Sequence, residues 1–350
     1  MAEIIKVSMI KKSTNKERGF VLVAVLLIIA VLVTIILEFN YESRLKLHLS
    51  DNFYYASKAL NYAEAGLAIA MAMLKQNENM LYDERYSPLF SGAVQIPVES
   101  DYCTILVKDE SGKININALK TSDDKIVRSR VDNMLKLIDL LNNQYQEESP
   151  ISYSLVPAII DWVDYDGEVT FLPFVKRENE GAESEYYEDL INPYSCKNAP
   201  FDTLNELLLV KGMTAEIFNG RAGDKTKNIK PVDGMERFLT IYGDGKININ
   251  EASPMVILSL SDKMSIGLMQ NIVEERKIKR YGSVGQLQNV PGMTPQVYES
   301  IRELITVKPT GRYYNVTVTG VAGQFMRKVQ IVLRKDSSAA RIETILRKEL

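Results

Sequence analysis

The sequence has little of the chemistry on which most active sites are built. Its 350 residues include one histidine, His48, one tryptophan, Trp162, and two cysteines, Cys103 and Cys196. A single histidine excludes a multi-histidine metal site and leaves little room for histidine-based catalysis. The cysteines lie far apart and form no CxxC pair, which excludes the usual zinc and dithiol redox motifs. Neither sign of charge dominates: 42 Lys and Arg face 45 Asp and Glu, a net charge of −3. The pI near 5.6 argues against a nucleic-acid binder with a wholly basic surface. Glycine and proline, at 19 and 12, are too few for a collagen-like chain. Apolar residues at 46% and charged residues at 25% exclude a wholly disordered chain and suit a globular one with a core. At about 150 residues per domain the length allows roughly two domains.

One long apolar run is present, and nothing later in the chain matches it. Residues 20–37, FVLVAVLLIIAVLVTIIL, are 18 residues without a charge, enough to span a bilayer as a helix. The segment before it carries Lys6, Lys11, Lys12, Lys16 and Arg18 against Glu3 and Glu17, a net +3. The positive-inside rule places residues 1–19 in the cytoplasm and the rest outside. The run exceeds a usual signal-peptide core, and no A-x-A-like site follows it, so the span is kept. Arg18-Gly19 followed by Phe20 and an apolar helix resembles the precursors of type IV pilins and pseudopilins. In that family a prepilin peptidase cuts after the Gly and methylates the new N-terminal Phe. Most members have Glu at the fifth mature position, where this chain has Ala24; its absence is typical of the K pseudopilin of type II secretion. A plain signal anchor is the simpler alternative. From Phe20 to Lys75 there is no proline and one glycine, Gly66, which predicts one long helix. Tyr54, Tyr55, Ala59, Tyr62, Ala63 and Gly66 form a candidate packing stripe on it.

Beyond the stalk, residues 76–100 read as a loop and 101–119 as strand–turn–strand. Residues 126–146 and 155–163 read as helices. Gly-Lys-Ile-Asn-Ile-Asn occurs at 112–117 and again at 245–250. Val210-Lys211-Gly212-Met213-Thr214 is echoed by Val290-Pro291-Gly292-Met293-Thr294. These repeats lack a solenoid period and point to two related substructures. Gly292 suits a helix C-cap, Thr294-Pro295 and Ser253-Pro254 suit helix starts, and Ser283 with Gln286 fits a capping box. Residues 312–334 alternate as a β-hairpin turning at Gly320–Gly323, and 336–350 read as a loose tail or short helix.

Together the Gly19–Phe20 leader, Ala24, the paired Lys-Ile-Asn-Ile-Asn segments, Asp161-Trp162-Val163-Asp164-Tyr165-Asp166, Gly181-Ala182-Glu183, Tyr186-Tyr187 and Lys197-Asn198-Ala199-Pro200-Phe201 resemble the type II secretion (general secretion pathway) protein K family of minor pseudopilins. The resemblance covers nearly the whole chain and implies an α+β fold. A pilin-like long N-terminal helix would join an antiparallel sheet, with a large helical domain resembling SAM and helix–hairpin–helix modules inserted between strands. The expected organisation is a leader (1–19), a transmembrane and stalk helix (20–75), a first part of the sheet (76–119), an inserted helical domain (120–240), a second Lys-Ile-Asn-Ile-Asn strand with a helix–hairpin–helix-like segment (241–308), and a C-terminal β-hairpin with tail (309–350). The resemblance also implies a single-pass protein of the bacterial inner membrane with its C-terminal domain in the periplasm. Its place would be the tip of the pseudopilus, with minor pseudopilins I and J, the major pseudopilin and the prepilin peptidase as partners. There it would start pseudopilus assembly and aid protein export across the outer membrane.

Asp161, Asp164, Asp166 and Glu168 put four carboxylates into eight residues. Calcium takes six to eight oxygens, and Glu183 or Asn198 could add ligands from the loop that follows. The spacing is not that of an EF-hand. The family resemblance suggests a structural calcium here, held by Asp161, Asp164, Asp166 and Glu183; the alternative is a solvated acidic loop with Asp161 as a helix cap. Nothing beside these acids marks a nucleophile or a substrate pocket, so no enzyme is expected. The Gly-Met-Thr turns are similar to helix–hairpin–helix modules but lack the second hairpin glycine. The basic run Arg276, Lys277, Lys279, Arg280 reads as a solvated helix face. Nucleic acid is not an expected partner, although a minor pilin of a type IV pilus or DNA-uptake system is the alternative function. In an oxidising periplasm Cys103 and Cys196 either form a disulfide or remain two buried thiols.

Overall fold

The computed structural model describes residues 16–75, 92–121, 123, 125–145, 150–223, 226, 230–308, 311–336 and 342–349. Residues 1–15 of the expected leader and 76–91 of the expected loop lie outside the described residues.

The first helix, α1 (Lys16–Lys75), is continuous over 60 residues, as a run without proline allows. Its two halves differ. The most apolar window, with mean hydropathy 3.5, has none of its residues buried in protein, so its side chains suit lipid. From Ala59 onward one stripe turns inward: Ala59, Tyr62, Ala63, Leu67, Ala70 and Leu74 are buried. Tyr54 and Tyr55, expected on that stripe, remain exposed, and Tyr55 stacks on Phe325 with ring centroids 6.2 Å apart.

The stripe packs on a sheet built from both ends of the folded part. Strands β1 (Val94–Val98) and β2 (Asp101–Asp109) enter it. The chain then leaves through β3 (Ile114–Asn115), α2 (Arg128–Asn142), α3 (Leu155–Val163), α4 (Ser184–Glu188), α5 (Ala215–Asn219), β4 (Gly220–Arg221), β5 (Val232–Asp233) and β6 (Leu239–Thr240). It continues through β7 (Ile247–Asn248), α6 (Pro254–Ser259), α7 (Ile266–Ile278), α8 (Pro295–Ile301) and β8 (Ile305–Thr306). It returns in β9 (Gly311–Ala322), β10 (Phe325–Asp336) and β11 (Ile342–Glu349). The sheet is antiparallel in the order β1-β2-β9-β10-β11. In β9 buried and half-buried residues alternate strictly, as one face against a helix requires. The expected hairpin is present, but its two-residue turn is Gly323-Gln324, with Gly323 at φ 57°. Gly320 stays within the strand: a Cβ there would lie 2.0 Å from the Ala59 carbonyl oxygen, so glycine lets α1 press against the sheet. The polar tail is a third strand, β11, and not a loose end; Arg347 on it pairs with Glu64 of α1. Buried Lys335 donates to the Leu74 carbonyl at 2.9 Å, placing a cation at the C-terminal end of α1.

The excursion between β2 and β9 has a single core running from Ile114 to Val307. The expected boundary at 240/241 therefore divides nothing in the core. Residues 114–119 belong to this body and not to the sheet, since Ile114, Ile116 and Leu119 are buried in it. Neither Lys-Ile-Asn-Ile-Asn copy makes a hairpin. Each forms a two-residue strand with a distant parallel partner, β3 with β6 and β7 with β8. Their asparagines act alike. Asn117 accepts from Phe201 N at 2.8 Å and donates to Phe201 O at 3.1 Å. Asn250 accepts from Tyr281 N at 2.9 Å and donates to Tyr281 O at 3.0 Å. After each clasped aromatic comes a 3-10 turn, a left-handed glycine (Gly212 or Gly292) and a Thr-capped helix. Thr294 and Ser253 cap as expected. Ser283 makes no cap bond, and Gln286 instead accepts from Gly282 N at 2.7 Å.

The two cysteines are free and buried in different cores, Cys103 under α1 and Cys196 in the helical body. The Cys103–Cys196 disulfide is therefore not made.

Candidate functional site: an acidic cluster

The acidic cluster forms where α3 runs out. Its last turn is apolar on three sides, so Trp162 packs edge-on against Tyr187 and stacks on Phe201. That packing buries the neighbouring Asp161 completely and leaves Asp164, at the helix C-cap, 3% exposed. The following loop doubles back through Thr170, whose N–H donates to Asp161 Oδ1 at 3.0 Å, and Gly181. Gly181 abuts Asp161: a Cβ there would fall 2.0 Å from Oδ2. The next turn carries Glu183, the N-cap of α4, which is 5% exposed. Asn198, at φ 48°, completes the rim, a left-handed conformation that Asn tolerates. Its amide donates to the Asp166 carbonyl at 3.0 Å.

Three of the four expected ligands converge. Carboxylate oxygens of Asp164, Asp166 and Glu183 lie within 4.8 Å of one another. Asp161 stands beside this trio but outside it, and its Oδ1 holds the loop through Thr170. Glu183 is the most telling member. Both of its carboxylate oxygens are buried without a hydrogen-bond partner, as are Asp161 Oδ2 and Asn198 Oδ1. A buried unpaired carboxylate costs several kcal/mol unless something positive meets it. Burial first, and the neighbouring carboxylates second, push Glu183 up to about 7; burial and Asp164 push Asp161 up to about 6.

The donor set is oxygen only, which suits a hard cation such as calcium and not zinc. Cys196 lies close by, but its thiol donates to the Asp161 carbonyl at 3.5 Å, and burial pushes it up to about 12. One residue of the site, Lys120, carries no motif signal. Lys120 Nζ lies 2.8 Å from Asp164 Oδ2. Gly181 belongs to the Gly181-Ala182-Glu183 segment of the resemblance, but its close approach to Asp161 is set by the fold.

The helix–hairpin–helix-like region has its basic run turned to internal work. Arg276 donates to the Ile249 carbonyl at 2.6 Å, Arg280 pairs with Glu251, and Lys277 pairs with Glu274 at 2.7 Å. The solvated helix face expected for this run holds for Lys277 but not for the two arginines, which are partly buried.

Residues 112–220 match the family described as type II secretion system protein K, and 244–306 match the helix–hairpin–helix motif. The type II secretion system protein K of Aeromonas hydrophila is 27% identical over 59% of this chain and 62% of its own length. That of Pseudomonas aeruginosa is 24% identical over 74% of this chain and 72% of its own. The fold is similar to a chain in the crystal structure of the GspK–GspI–GspJ complex of the enterotoxigenic Escherichia coli type 2 secretion system. That similarity has a TM-score of 0.57 at 15% identity and covers 88% of this chain and 99% of the other. A long N-terminal helix whose C-terminal half docks on an antiparallel sheet, with a helical body between β2 and β9, is a fold that this chain shares with that one. The chain is similar to the type II secretion system protein K family in residues 112–220 and in these relatives.

Proposed function

We propose that this chain caps the tip of a type II secretion pseudopilus, anchored in the inner membrane by residues 20–37 with its folded part in the periplasm. There it assembles with minor pseudopilins I and J and starts the growth that drives substrates through the outer membrane. The observation that carries this reading is the helical body filling the chain between β2 and β9. A subunit within a helical filament must present similar faces above and below, and so large an insertion suits an end position. The missing Glu at the fifth mature position, Ala24, agrees with a subunit that stacks on no similar neighbour. Arg276 and Arg280, tied to Ile249 and Glu251, speak against the DNA-uptake alternative. The test is size-exclusion chromatography of the full chain in detergent with its cognate I and J proteins. A stable co-eluting complex is expected; separate elution refutes the placement.

The acidic cluster would hold a calcium ion. Asp164, Asp166 and Glu183 supply carboxylate oxygens and Asn198 an amide oxygen. The ion would supply the positive charge that the buried Glu183 carboxylate lacks, pinning the polar loop 164–200 where hydrophobic burial cannot. Because an ion bound only to the folded state stabilises it, saturating calcium would add about 3 kcal/mol at a hundredfold excess over Kd. A melting temperature unchanged between excess calcium and chelator would refute the site.

A further inference from the structure

We propose that Lys120 is a built-in counter-charge of the acidic cluster, setting how tightly it takes a divalent cation; this rests on the calcium reading above. Lys120 follows the first Lys-Ile-Asn-Ile-Asn segment and is pinned. It bridges to Ile126, and Val127 N donates to the Leu119 carbonyl at 2.8 Å, closing a short loop around it. Its side chain is 12% exposed, and its ammonium sits 2.8 Å from Asp164 Oδ2, on a side chain 1% exposed. The second copy has Ser253 at the equivalent position, serving as a helix cap, and among the described residues it has no such cluster. The lysine therefore belongs to the site and not to the repeat.

Its charge acts in two directions. With no ion bound, Lys120 offsets part of the repulsion among Asp161, Asp164, Asp166 and Glu183 and keeps Asp164 in place. With an ion bound, two positive charges share one carboxylate. A 2.8 Å contact on one side and a metal–oxygen bond of about 2.4 Å on the other put them roughly 5 Å apart. At that distance a unit charge opposes a divalent ion by about tenfold to a hundredfold in affinity, even when water screens the pair well. The site is thereby stable when empty and weaker than its acids alone would make it.

The test uses the full chain in detergent, with Tb3+ as probe and Ca2+ as competitor. Trp162, the chain's one tryptophan, adjoins Asp161 in sequence and packs on Tyr187, and would serve as the sensitiser of Tb3+ luminescence. Lys120→Met removes the charge, and Lys120→Arg keeps it. Lys120→Met is expected to bind both ions about tenfold or more tightly and to melt below the parent in chelator but not in saturating calcium. Lys120→Arg is expected to stay within about threefold of the parent. A Lys120→Met protein that folds only with calcium supports the proposal; one that fails to fold even with calcium overturns it. Unchanged or weaker binding by Lys120→Met, or equal tightening by Lys120→Arg, also overturns it. If the parent takes up neither ion, the calcium reading itself has failed.

Discussion

Replacing Gly320 should loosen the docking of α1 on the sheet. A Cβ at this position would sit 2.0 Å from the Ala59 carbonyl oxygen and 2.6 Å from Ala63 N. Both are helix backbone atoms, so no side chain can swing aside. Reaching ordinary contact at 3.4 Å requires the helix to move by about 1.4 Å. Such a shift would open the layer in which Ala59, Ala63, Leu67 and Ala70 meet Cys103, Ile105, Val316 and Val318. Overpacking costs about 1–3 kcal/mol, and backbone contacts on both sides put Gly320→Ala at the upper end, about 3 kcal/mol. Reduced unfolded-chain entropy returns less than about 1 kcal/mol of this. For a small unit the net loss lowers the melting temperature by on the order of 10 °C. Calorimetry of the full chain in detergent, with hydrogen exchange of the β9 and β10 amides, reads both the loss and its location. Gly267→Ala in α7, where a Cβ would meet nothing within 4 Å, is the control. If Gly320→Ala keeps its melting temperature and amide protection as well as Gly267→Ala, the close-packing argument is wrong.

Four other outcomes are expected. In chelator, stability should fall as pH rises from about 4 to about 7, because Glu183 and Asp161 ionise less readily folded, at about 7 and 6, than at their ordinary 4.5 and 3.8; melting curves at pH 5 and 7.5 read this, and saturating calcium should reverse the order. Gly181→Ala, whose Cβ would overlap Asp161 Oδ2, should lower Tb3+ affinity at least about tenfold in a luminescence titration by displacing the loop that carries Glu183. Asn117→Ala and Asn250→Ala should each cost about 3 kcal/mol in denaturant titrations, since each strands a clasped backbone N–H and C=O. Intact mass of the protein from its native host should correspond to a chain starting at methylated Phe20, and a Met1 start would sink the processing expectation.

Much of the acidic site is legible in the sequence. Asp164, Asp166 and Glu183 are drawn together as their spacing on a polar loop suggests, and Asn198 borders them. Asp161 stands outside the converging trio, with its Oδ1 holding the loop through Thr170, a contact formed only when residues 165–181 fold back. Lys120 carries no signal at all, since the lysine and its aspartate are separated by 44 positions. The alternating Ile and Asn of the Lys-Ile-Asn-Ile-Asn copies imitate a strand. Their isoleucines instead enter the helical core while the asparagines clasp backbone from distant loops.

Some features follow from local rules alone. The long N-terminal helix, the α3 span of 155–163, the capped starts at Ser253 and Thr294 and the β9–β10 hairpin rest on hydrophobic period, capping and turn chemistry that act over a few residues. Tertiary structure decided the rest. It made the polar tail a third strand by giving β10 an open edge, and it set the cysteines in separate cores. It merged residues 114–307 into one body and chose which acids converge, because each of these depends on contacts between segments that sequence spacing does not relate.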